Sequence, residues 1–335
     1  QVTAALAKAG RTRQQYEALP FPPRRVSDEA VWLLRSSMAS LAEVSHYLYG
    51  GSLRRNFCAA PAPLRVLVAG GGTGDATVQL ASEIAALHAR HPACGFNRSL
   101  VVHLDLSASS VALARARLAA RGLLSTPGPA PGEPRSSGAT HPSGADPSAA
   151  AHSAPAAVRG VPGVRVRLVR GSLLELSSLD LGRFDYVNCV GVLHHLPDPA
   201  AALRGLAKHA LSPRGGLGLM VYGTLGRGGV YETQAALRLL HARGNTSDGG
   251  APHRTAARVA DAAALLEVLP AANLLKRNGP IWASQEVQGR MGDAGIFDLL
   301  LSPVDAPYTA PLLHAHAAAA GLRISSWLTP RLYHP

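Results

Sequence analysis

The segment "VLVAGGGTGD", residues 66–75, constrains the fold of this chain more than any other stretch. It begins inside a short apolar run, Leu64–Ala69, which lies between prolines and glycines as buried parallel strands do. Asp75–Arg90 follows and places Leu80 and Ile84 on one face of a predicted helix. A strand joined to a helix by a glycine-rich turn predicts an α/β fold with a ligand site at that turn.

The same alternation of strand and helix continues along the chain. Further helices are predicted at Ser107–Arg121, at Ala200–Leu211 and in the segment that ends at Gly321. Alternating strands and helices pair in parallel through right-handed crossovers, which predicts a three-layer sandwich around one mostly parallel sheet. Besides Leu64–Ala69, the predicted strands are Leu100–Leu104, Val164–Val169, Phe184–Val190, Leu217–Tyr222 and Arg323–Leu328.

Composition divides the 335 residues into parts of different character. Residues 124–163 are almost entirely Pro, Gly, Ser and Ala, so they bury too little apolar surface to order and are predicted to be a disordered insertion. The predicted parts are an N-terminal segment or lid (1–60), a core (61–222), a mainly helical substrate or cap region (223–305), and a helix and strand that complete the core (306–335).

The net charge and the lengths of the apolar runs indicate whether the chain binds nucleic acid or spans a membrane. No apolar run approaches the roughly 18 residues that cross a bilayer, so no membrane span is predicted. The net charge of +12 comes from scattered arginines rather than from a block, which disfavours a dedicated nucleic-acid surface. The abundance of Arg, Ala, Gly and Pro indicates a GC-rich genome. We therefore expect a soluble intracellular protein, in the cytoplasm or in an organelle stroma such as a plastid.

The three cysteines, Cys58, Cys94 and Cys189, are far apart in the sequence and form no CxxC motif. That spacing suits a reducing compartment and predicts neither a disulfide framework nor a structural zinc site.

The spacing of the glycines after the first strand limits which class of ligand the turn can bind. A dinucleotide fingerprint needs GxGxxG, but the third position is Asp75 in one register and Thr77 in the other. No GK[ST] follows, so a phosphate-binding loop of the Walker type is excluded as well. What remains is GxGxG, formed by Gly70, Gly72 and Gly74, which suits a nucleoside that carries an amino-acid tail.

The ends of the next two strands add polar groups at the same edge of the sheet. Asp105 ends the second strand, where a carboxylate can accept hydrogen bonds from both ribose hydroxyls. Asp105 could instead cap the following helix, but Ser107 suits that position better. Ser172 and Leu173 follow the third strand, within reach of an adenine ring. Ligands of open α/β sheets bind outside the carboxyl ends of the strands, so these residues converge on one crevice.

The ordered set of motifs resembles class I S-adenosylmethionine-dependent methyltransferases. The motifs that carry the resemblance are "VLVAGGGTGD", "HLDLS", "RGSLLEL", "FDYVNCVGVLHHLPDP" and "LSPRGGLGLMVYG". The resemblance covers about residues 60–222, together with "AAGLRI" near the end. It implies a seven-stranded sheet with an antiparallel last strand, of which six strands are recognised here. Ser172 stands where many members have aspartate, which puts adenine recognition through that side chain in doubt.

The same resemblance places the loop after the fourth strand next to the methionyl part of S-adenosylmethionine. It implies that Cys189 and Gly191 line the cofactor site. A general-base role is open for His194, and less so for His195, because imidazole titrates near neutrality. The alternative for both is a packed and hydrogen-bonded loop histidine. No metal site is predicted, because neighbouring histidines in a turn diverge and a metal needs three or four convergent ligands.

The predicted reaction is SN2 methyl transfer to a small-molecule or lipid-like acceptor. The chain lacks a [DN]PP[YF] motif, paired glutamates and an aspartate at the end of the fourth strand, which mark other acceptor classes. Two alternatives are a catalytically inactive assembly or binding protein of the same fold and a methyltransferase acting on protein or nucleic acid. "QQYEALPFPPR", residues 14–24, resembles a "YExxPYP" stretch of some bacterial methyltransferases and is expected either to close over the acceptor pocket or to wrap the core.

Overall fold

A computed structural model of the protein describes residues 2–59, 62–124, 163–243, 252–278 and 291–328. The predicted insertion, 124–163, lies outside the described residues except at its two ends. One sheet of five parallel strands organises the described part, in the order β3-β2-β1-β4-β5. The strands are β1 (Arg65–Ala69), β2 (Arg98–Asp105), β3 (Gly163–Arg170), β4 (Phe184–Val190) and β5 (Leu211–Met220).

The strand order reverses at β1. In the register, Val66 of β1 lies beside Val101 of β2 on one side and beside Tyr186 of β4 on the other. The crossovers that leave β1 and β4 therefore run to opposite edges of the sheet, and a crevice opens between their carboxyl ends. β5 begins before the predicted Leu217 and pairs with β4 through a register irregularity between Phe184 and Tyr186.

Helices cover both faces of the sheet. Asp75–Arg90 forms as predicted, and the next helix begins after Ser107, whose hydroxyl accepts from the backbone N–H of Ser110. Two helices continue as π-helical turns, at Leu206–Ala210 and Phe297–Leu301. The α-helices of the described residues are Val2–Ala18, Leu41–Tyr49, Leu53–Ala59, Asp75–Arg90, Ala108–Ala120, Pro199–Gly205, Val230–Arg243, Pro252–Val268, Leu274–Arg277, Gly292–Ile296 and Ala310–Ala319.

The apolar core has one layer on each face of the sheet, because side chains alternate along every strand. On β1, Val66 and Val68 pack in one layer with the helix Asp75–Arg90. Leu67 and Ala69 pack in the other layer, together with residues of the helix Pro199–Gly205. The predicted three-layer α/β sandwich is confirmed.

A third apolar cluster joins the helices that follow β5. Val230, Leu237, Val259, Leu275 and Leu299 are buried together, and Leu19 of the N-terminal region packs against them. We call the helices that form this cluster, between residues 230 and 301, the helical cap. They lie within residues 223–305, for which the sequence predicts a mainly helical substrate or cap region.

The predicted number of six or seven strands is wrong for the described residues, which form five. Arg323–Leu328, the predicted sixth strand, has no strand structure. A cavity of about 470 Å³ is lined both by β5 residues such as Leu217 and by Leu322–Leu328. The segment therefore stands off from β5 and cannot form the backbone hydrogen bonds of a sheet.

The prediction of no disulfide is also wrong, because Cys58 and Cys94 are joined across 36 residues. The helix Leu53–Ala59 packs on the short turn before β2, where the rings of Phe57 and Phe96 are 5.9 Å apart. This tertiary contact brings the two cysteines together, and nothing in their spacing along the sequence indicates it. Cys189 is a free, buried thiol.

Across the described residues, no helix combines the length and the apolar character that spanning a membrane requires.

Candidate active site

A cavity of about 290 Å³ lies at the carboxyl ends of the five strands. Its lining includes residues at or just after the carboxyl end of each strand, from the glycine turn after β1 to Tyr222 after β5. The sequence-predicted residues that line it are Gly70, Gly72, Asp105, Ser172, Leu173 and Gly191. The structure thus brings residues from four separate loops together around one space.

Three other predicted residues, Gly74, Cys189 and His194, do not line the cavity. Gly74 caps the helix Asp75–Arg90, and a Cβ there would lie 2.9 Å from the Cβ of Ala114, so this glycine serves close helix packing. The side chain of Cys189 packs in the apolar core layer that contains Leu67 and Ala69. Burial there raises the pKa of its thiol to about 12. His194 is buried behind the cavity wall.

The glycine turn needs glycine for two different reasons. Gly70 and Gly72 have φ values of +70° and +53°, the left-handed region that residues with a side chain rarely adopt. A Cβ on Gly72 would also lie 2.6 Å from the carbonyl oxygen of Phe21. Gly71, which sequence reasoning missed, lines the cavity too, and a Cβ there would meet the buried ring of His103 at 2.3 Å.

Asp105 fastens the glycine turn to the end of β2. Its carboxylate accepts from the backbone N–H of Gly72 at 2.7 Å and from that of Ser107 at 2.9 Å. Burial raises the pKa of Asp105 above its usual value, although the two backbone hydrogen bonds work in the opposite direction. Each carboxylate oxygen can accept more than one hydrogen bond, so Asp105 can still receive hydroxyl groups from a ligand in the cavity.

His194 packs rather than facing the cavity. Its ring stacks on Tyr222 with centroids 3.9 Å apart, and the guanidinium of Arg227 lies 3.7 Å from the centroid of the Tyr222 ring. Nδ1 accepts from the backbone N–H of Tyr222 at 3.3 Å. Burial, His195 and Arg227 lower the pKa of His194 well below its usual value, so the ring is neutral. This geometry matches the packed-histidine alternative.

His195 is the histidine that reaches the cavity. Its Nδ1 lies 2.9 Å from the carbonyl oxygen of Val304 and 3.3 Å from the hydroxyl of Ser302. Its Nε2 lies 3.9 Å from Oδ1 of Asp298. The loop after the helical cap therefore fixes the orientation of this ring.

Tyr16 and Asp298 line the same end of the cavity, and sequence reasoning missed both. The hydroxyl of Tyr16 donates to Oδ1 of Asp298 at 2.9 Å. Burial and then the charge of Asp298 raise the pKa of Tyr16 well above its usual value, so it remains a phenol and a donor. The two residues are 282 positions apart in the chain, and the only signal was the YE pair at the start of the "YExxPYP"-like stretch.

The proline-rich segment lies against the glycine turn. Phe21 and Pro22 line the cavity, and the hydroxyl of Thr73 donates to the carbonyl of Pro22 at 2.6 Å. The guanidinium of Arg24 binds both carboxylate oxygens of Asp75, the closest at 2.6 Å. The segment therefore closes one side of the cavity.

Glu17 holds the N-terminal helix to the same region. Its carboxylate accepts from the backbone N–H groups of Ala108 and Ser109, both at 2.9 Å. A carboxylate at the first turn of a helix satisfies free N–H groups and complements the helix dipole. Within the described residues, no group of three or more His, Cys, Asp or Glu side chains is arranged to hold a metal ion.

Comparison with known proteins finds one family match, one curated relative and several solved structures. Residues 134–217 match the family model described as a methyltransferase domain. The match covers 84 of the 335 residues, about a quarter of the chain. A parallel sheet with helices around it is consistent with the class I methyltransferase fold. Proteins of the matched family use S-adenosylmethionine as methyl donor.

One curated relative is an uncharacterised protein of Synechococcus sp., 34% identical over 161 residues. The match covers 47% of this chain and 35% of the relative, so the chain spans about a third of that protein's length.

Three solved structures are similar to this chain at low sequence identity. PKMT2 from Rickettsia typhi in complex with AdoHcy is 15% identical, with a TM-score of 0.43 over 82% of this chain and 43% of that one. The plantazolicin methyltransferase BamL with SAH is 10% identical, with a TM-score of 0.40 over 95% and 75%. Magnesium protoporphyrin IX methyltransferase from Synechocystis with bound SAM is 18% identical, with a TM-score of 0.29 over 62% and 74%.

Proposed function

We propose that this protein binds S-adenosylmethionine in the 290 Å³ cavity and transfers its methyl group to a small-molecule or lipid-like acceptor. The observation that carries the proposal is that one cavity joins the glycine turn and Asp105 to polar side chains at its opposite end, Tyr16, His195 and Asp298. The first group suits a nucleoside and the second suits a reacting acceptor.

The donor would lie along the carboxyl ends of β1 to β4. Gly70 and Gly72 let it approach the backbone closely, and Asp105 would accept from its ribose hydroxyls. Ser172 and Leu173 would flank the adenine, and Gly191 the methionyl part. Cys189 and Gly74 support this site from behind the cavity wall. The methyl would then point towards the end of the cavity that His195 lines.

Methyl transfer asks the protein chiefly for alignment. The sulfonium is a good leaving group, so holding the nucleophile, methyl and sulfur in line and excluding water supplies most of the acceleration. The segment around Phe21 and Pro22 and the helical cap at Asp298 would close the cavity over both substrates. Residues 1–60 thus serve as a lid, and 223–305 as the part that shapes the acceptor site.

Replacement of Asp105 tests the donor site. Asp105→Ala removes the acceptor of the ribose hydroxyls, so binding of S-adenosylhomocysteine should become less favourable by roughly 1–3 kcal/mol. This corresponds to a Kd about 5- to 150-fold higher. Isothermal titration calorimetry measures the change. The matched control is Asp261→Ala, because the carboxylate of Asp261 lies on an exposed part of the helix Pro252–Val268. This variant should bind S-adenosylhomocysteine as the wild type does. Equal affinity in both variants would remove Asp105 from the site.

The pH dependence of donor binding gives an independent check. Because burial raises the pKa of Asp105, its carboxylate should take up a proton at a higher pH than an exposed aspartate, whose pKa is about 4. Protonation removes acceptor capacity, so the Kd of S-adenosylhomocysteine should begin to increase at a pH at which exposed aspartates are still ionised. In Asp105→Asn, which cannot ionise, this part of the pH dependence should disappear.

A further inference from the structure

The hydrogen bonds of His195 fix which ring nitrogen can take up a proton. The carbonyl oxygen of Val304, 2.9 Å from Nδ1, can only accept, so Nδ1 carries the hydrogen of the neutral ring. Nε2 then carries the lone pair. Among the residues that the structure describes, Nε2 has no hydrogen-bond partner, and it belongs to a ring that lines the cavity.

A buried carboxylate stands beside that lone pair. Oδ1 of Asp298 is 3.9 Å from Nε2 of His195, and the side chain of Asp298 is only 2% exposed. The hydroxyl of Tyr16 donates to the same oxygen and holds the carboxylate in place. The carboxylate of Asp298 therefore lies where it can compensate the positive charge of a proton transferred to Nε2.

Resting on the proposed function, we propose that Nε2 of His195 is the general base that accepts the proton of an acceptor hydroxyl, with Asp298 and Tyr16 as positioning residues. The hydroxyl proton moves to Nε2 while an oxygen lone pair forms the new bond to the methyl carbon. The carbon–sulfur bond breaks, and its electron pair stays on sulfur. S-adenosylhomocysteine leaves neutral, and the imidazolium beside Asp298 later returns its proton to water.

The surroundings of His195 favour a neutral acceptor such as a phenol or an alcohol. Phe21, Leu196 and Met220 line the cavity together with His195, and burying a charged acceptor among apolar side chains is costly. An ionised carboxylic acid would be repelled by Asp298. A neutral hydroxyl avoids both costs, but it is a weak nucleophile until its proton leaves, and removing that proton is the task that His195 is placed to perform.

Two phenols of different acidity separate a base from a merely structural histidine. The full chain is assayed at about pH 8 with labelled S-adenosylmethionine and one of two phenols. At that pH 4-propylphenol is protonated and 4-nitrophenol is mostly ionised. For 4-propylphenol, kcat of His195→Gln should be about 100-fold below that of the wild type. The phenolate of 4-nitrophenol binds less well beside Asp298 in the wild type and in this variant alike but needs no base, so the rate of His195→Gln should stay within about 3-fold of the wild-type rate. His314→Gln, on the exposed side of the helix Ala310–Ala319, is the control and should change neither rate.

Substitutions of the positioning residues Asp298 and Tyr16 should show a smaller form of the same difference between the two phenols. Asp298→Asn and Tyr16→Phe should each lower the rate with 4-propylphenol by about 10-fold, a part of the general-base contribution, and should not lower the rate with 4-nitrophenol. A residue that only maintained the fold would affect both phenols alike.

The remaining outcomes overturn the proposal in distinguishable ways. An equal loss of rate with both phenols in His195→Gln, or no loss at all, removes His195 as the base. Absence of methylation of both phenols, while calorimetry shows that S-adenosylhomocysteine binds, excludes the hydroxyl acceptor and leaves the proposed function standing. Absence of S-adenosylhomocysteine binding contradicts the proposed function itself.

Discussion

Arg117→Met is expected to lower the free energy of unfolding by about 3–5 kcal/mol, the usual cost of removing one member of a buried ionic group. The side chain of Arg117 is fully buried in the helix Ala108–Ala120. Its guanidinium binds Glu29 at 2.6 Å, Asp75 at 2.7 Å and the carbonyl of Thr73 at 2.8 Å. Methionine fills a similar volume but leaves a buried carboxylate and a carbonyl without this donor.

The substitution should also weaken donor binding, because Arg117 binds Thr73 within the glycine turn and Asp75 directly after it. Burial alone would raise the pKa of Asp75, but hydrogen bonds from Arg24 and Arg117 and their charges outweigh it and hold the pKa below its usual value. With Arg117 gone, Asp75 keeps only Arg24, and the turn loses the anchor of Thr73. We therefore expect weaker binding of S-adenosylhomocysteine as well as lower stability.

Urea unfolding followed by circular dichroism measures the stability, and Arg121→Met is the matched control. Arg121 also binds Glu29 and the carbonyl of Trp32, but its side chain is 19% exposed, so water replaces part of what is lost. Its effect should stay near 1 kcal/mol, the typical net value of a hydrogen bond. Equal effects of the two substitutions would contradict a special role for the buried arginine.

Local sequence patterns predicted the elements of this sheet because each strand and helix carries its own periodicity. Leu64–Ala69 and Phe184–Val190 are apolar runs bounded by turn residues, and Asp75–Arg90 repeats an apolar face. All three have nearly the predicted bounds. Arg323–Leu328 has the composition of a strand, but strand structure needs a hydrogen-bonded partner, and no local signal states whether β5 is near enough.

The candidate site was predictable only where its residues follow strands directly. The topology of a parallel sheet sends Gly70, Asp105 and Ser172 to one edge, so their sequence positions sufficed. Tyr16 and Asp298 come from opposite ends of the chain and meet only because the cap folds back over the sheet. The sequence favoured a packed loop histidine for both His194 and His195 and ranked His194 higher as a possible base. The side-chain directions of the two rings depend on Tyr222 and Val304.

Gly229→Ala is expected to destabilise the protein by about 3 kcal/mol or more, because backbone strain and a steric clash add together. Gly229 precedes the helix Val230–Arg243 with a φ of +88°, where a Cβ is unfavourable by about 1–2 kcal/mol. A Cβ there would also lie 2.3 Å from the backbone nitrogen of Leu275 and 2.9 Å from its Cα. Backbone atoms cannot rotate away as a side chain can, so two helices of the cap would have to separate.

Because the helical cap carries Asp298, the same substitution should weaken the acceptor end of the cavity more than the donor end. Thermal unfolding measures the stability, and the Kd of S-adenosylhomocysteine should change less than the rate of methyl transfer to 4-propylphenol. Gly226→Ala is the control, since a Cβ at that position meets no atom within 4 Å and no positive φ is recorded there. It should change stability by no more than about 1 kcal/mol, in the stabilising direction. A Gly229→Ala protein as stable as Gly226→Ala would mean that the cap does not pack against Gly229 in this way.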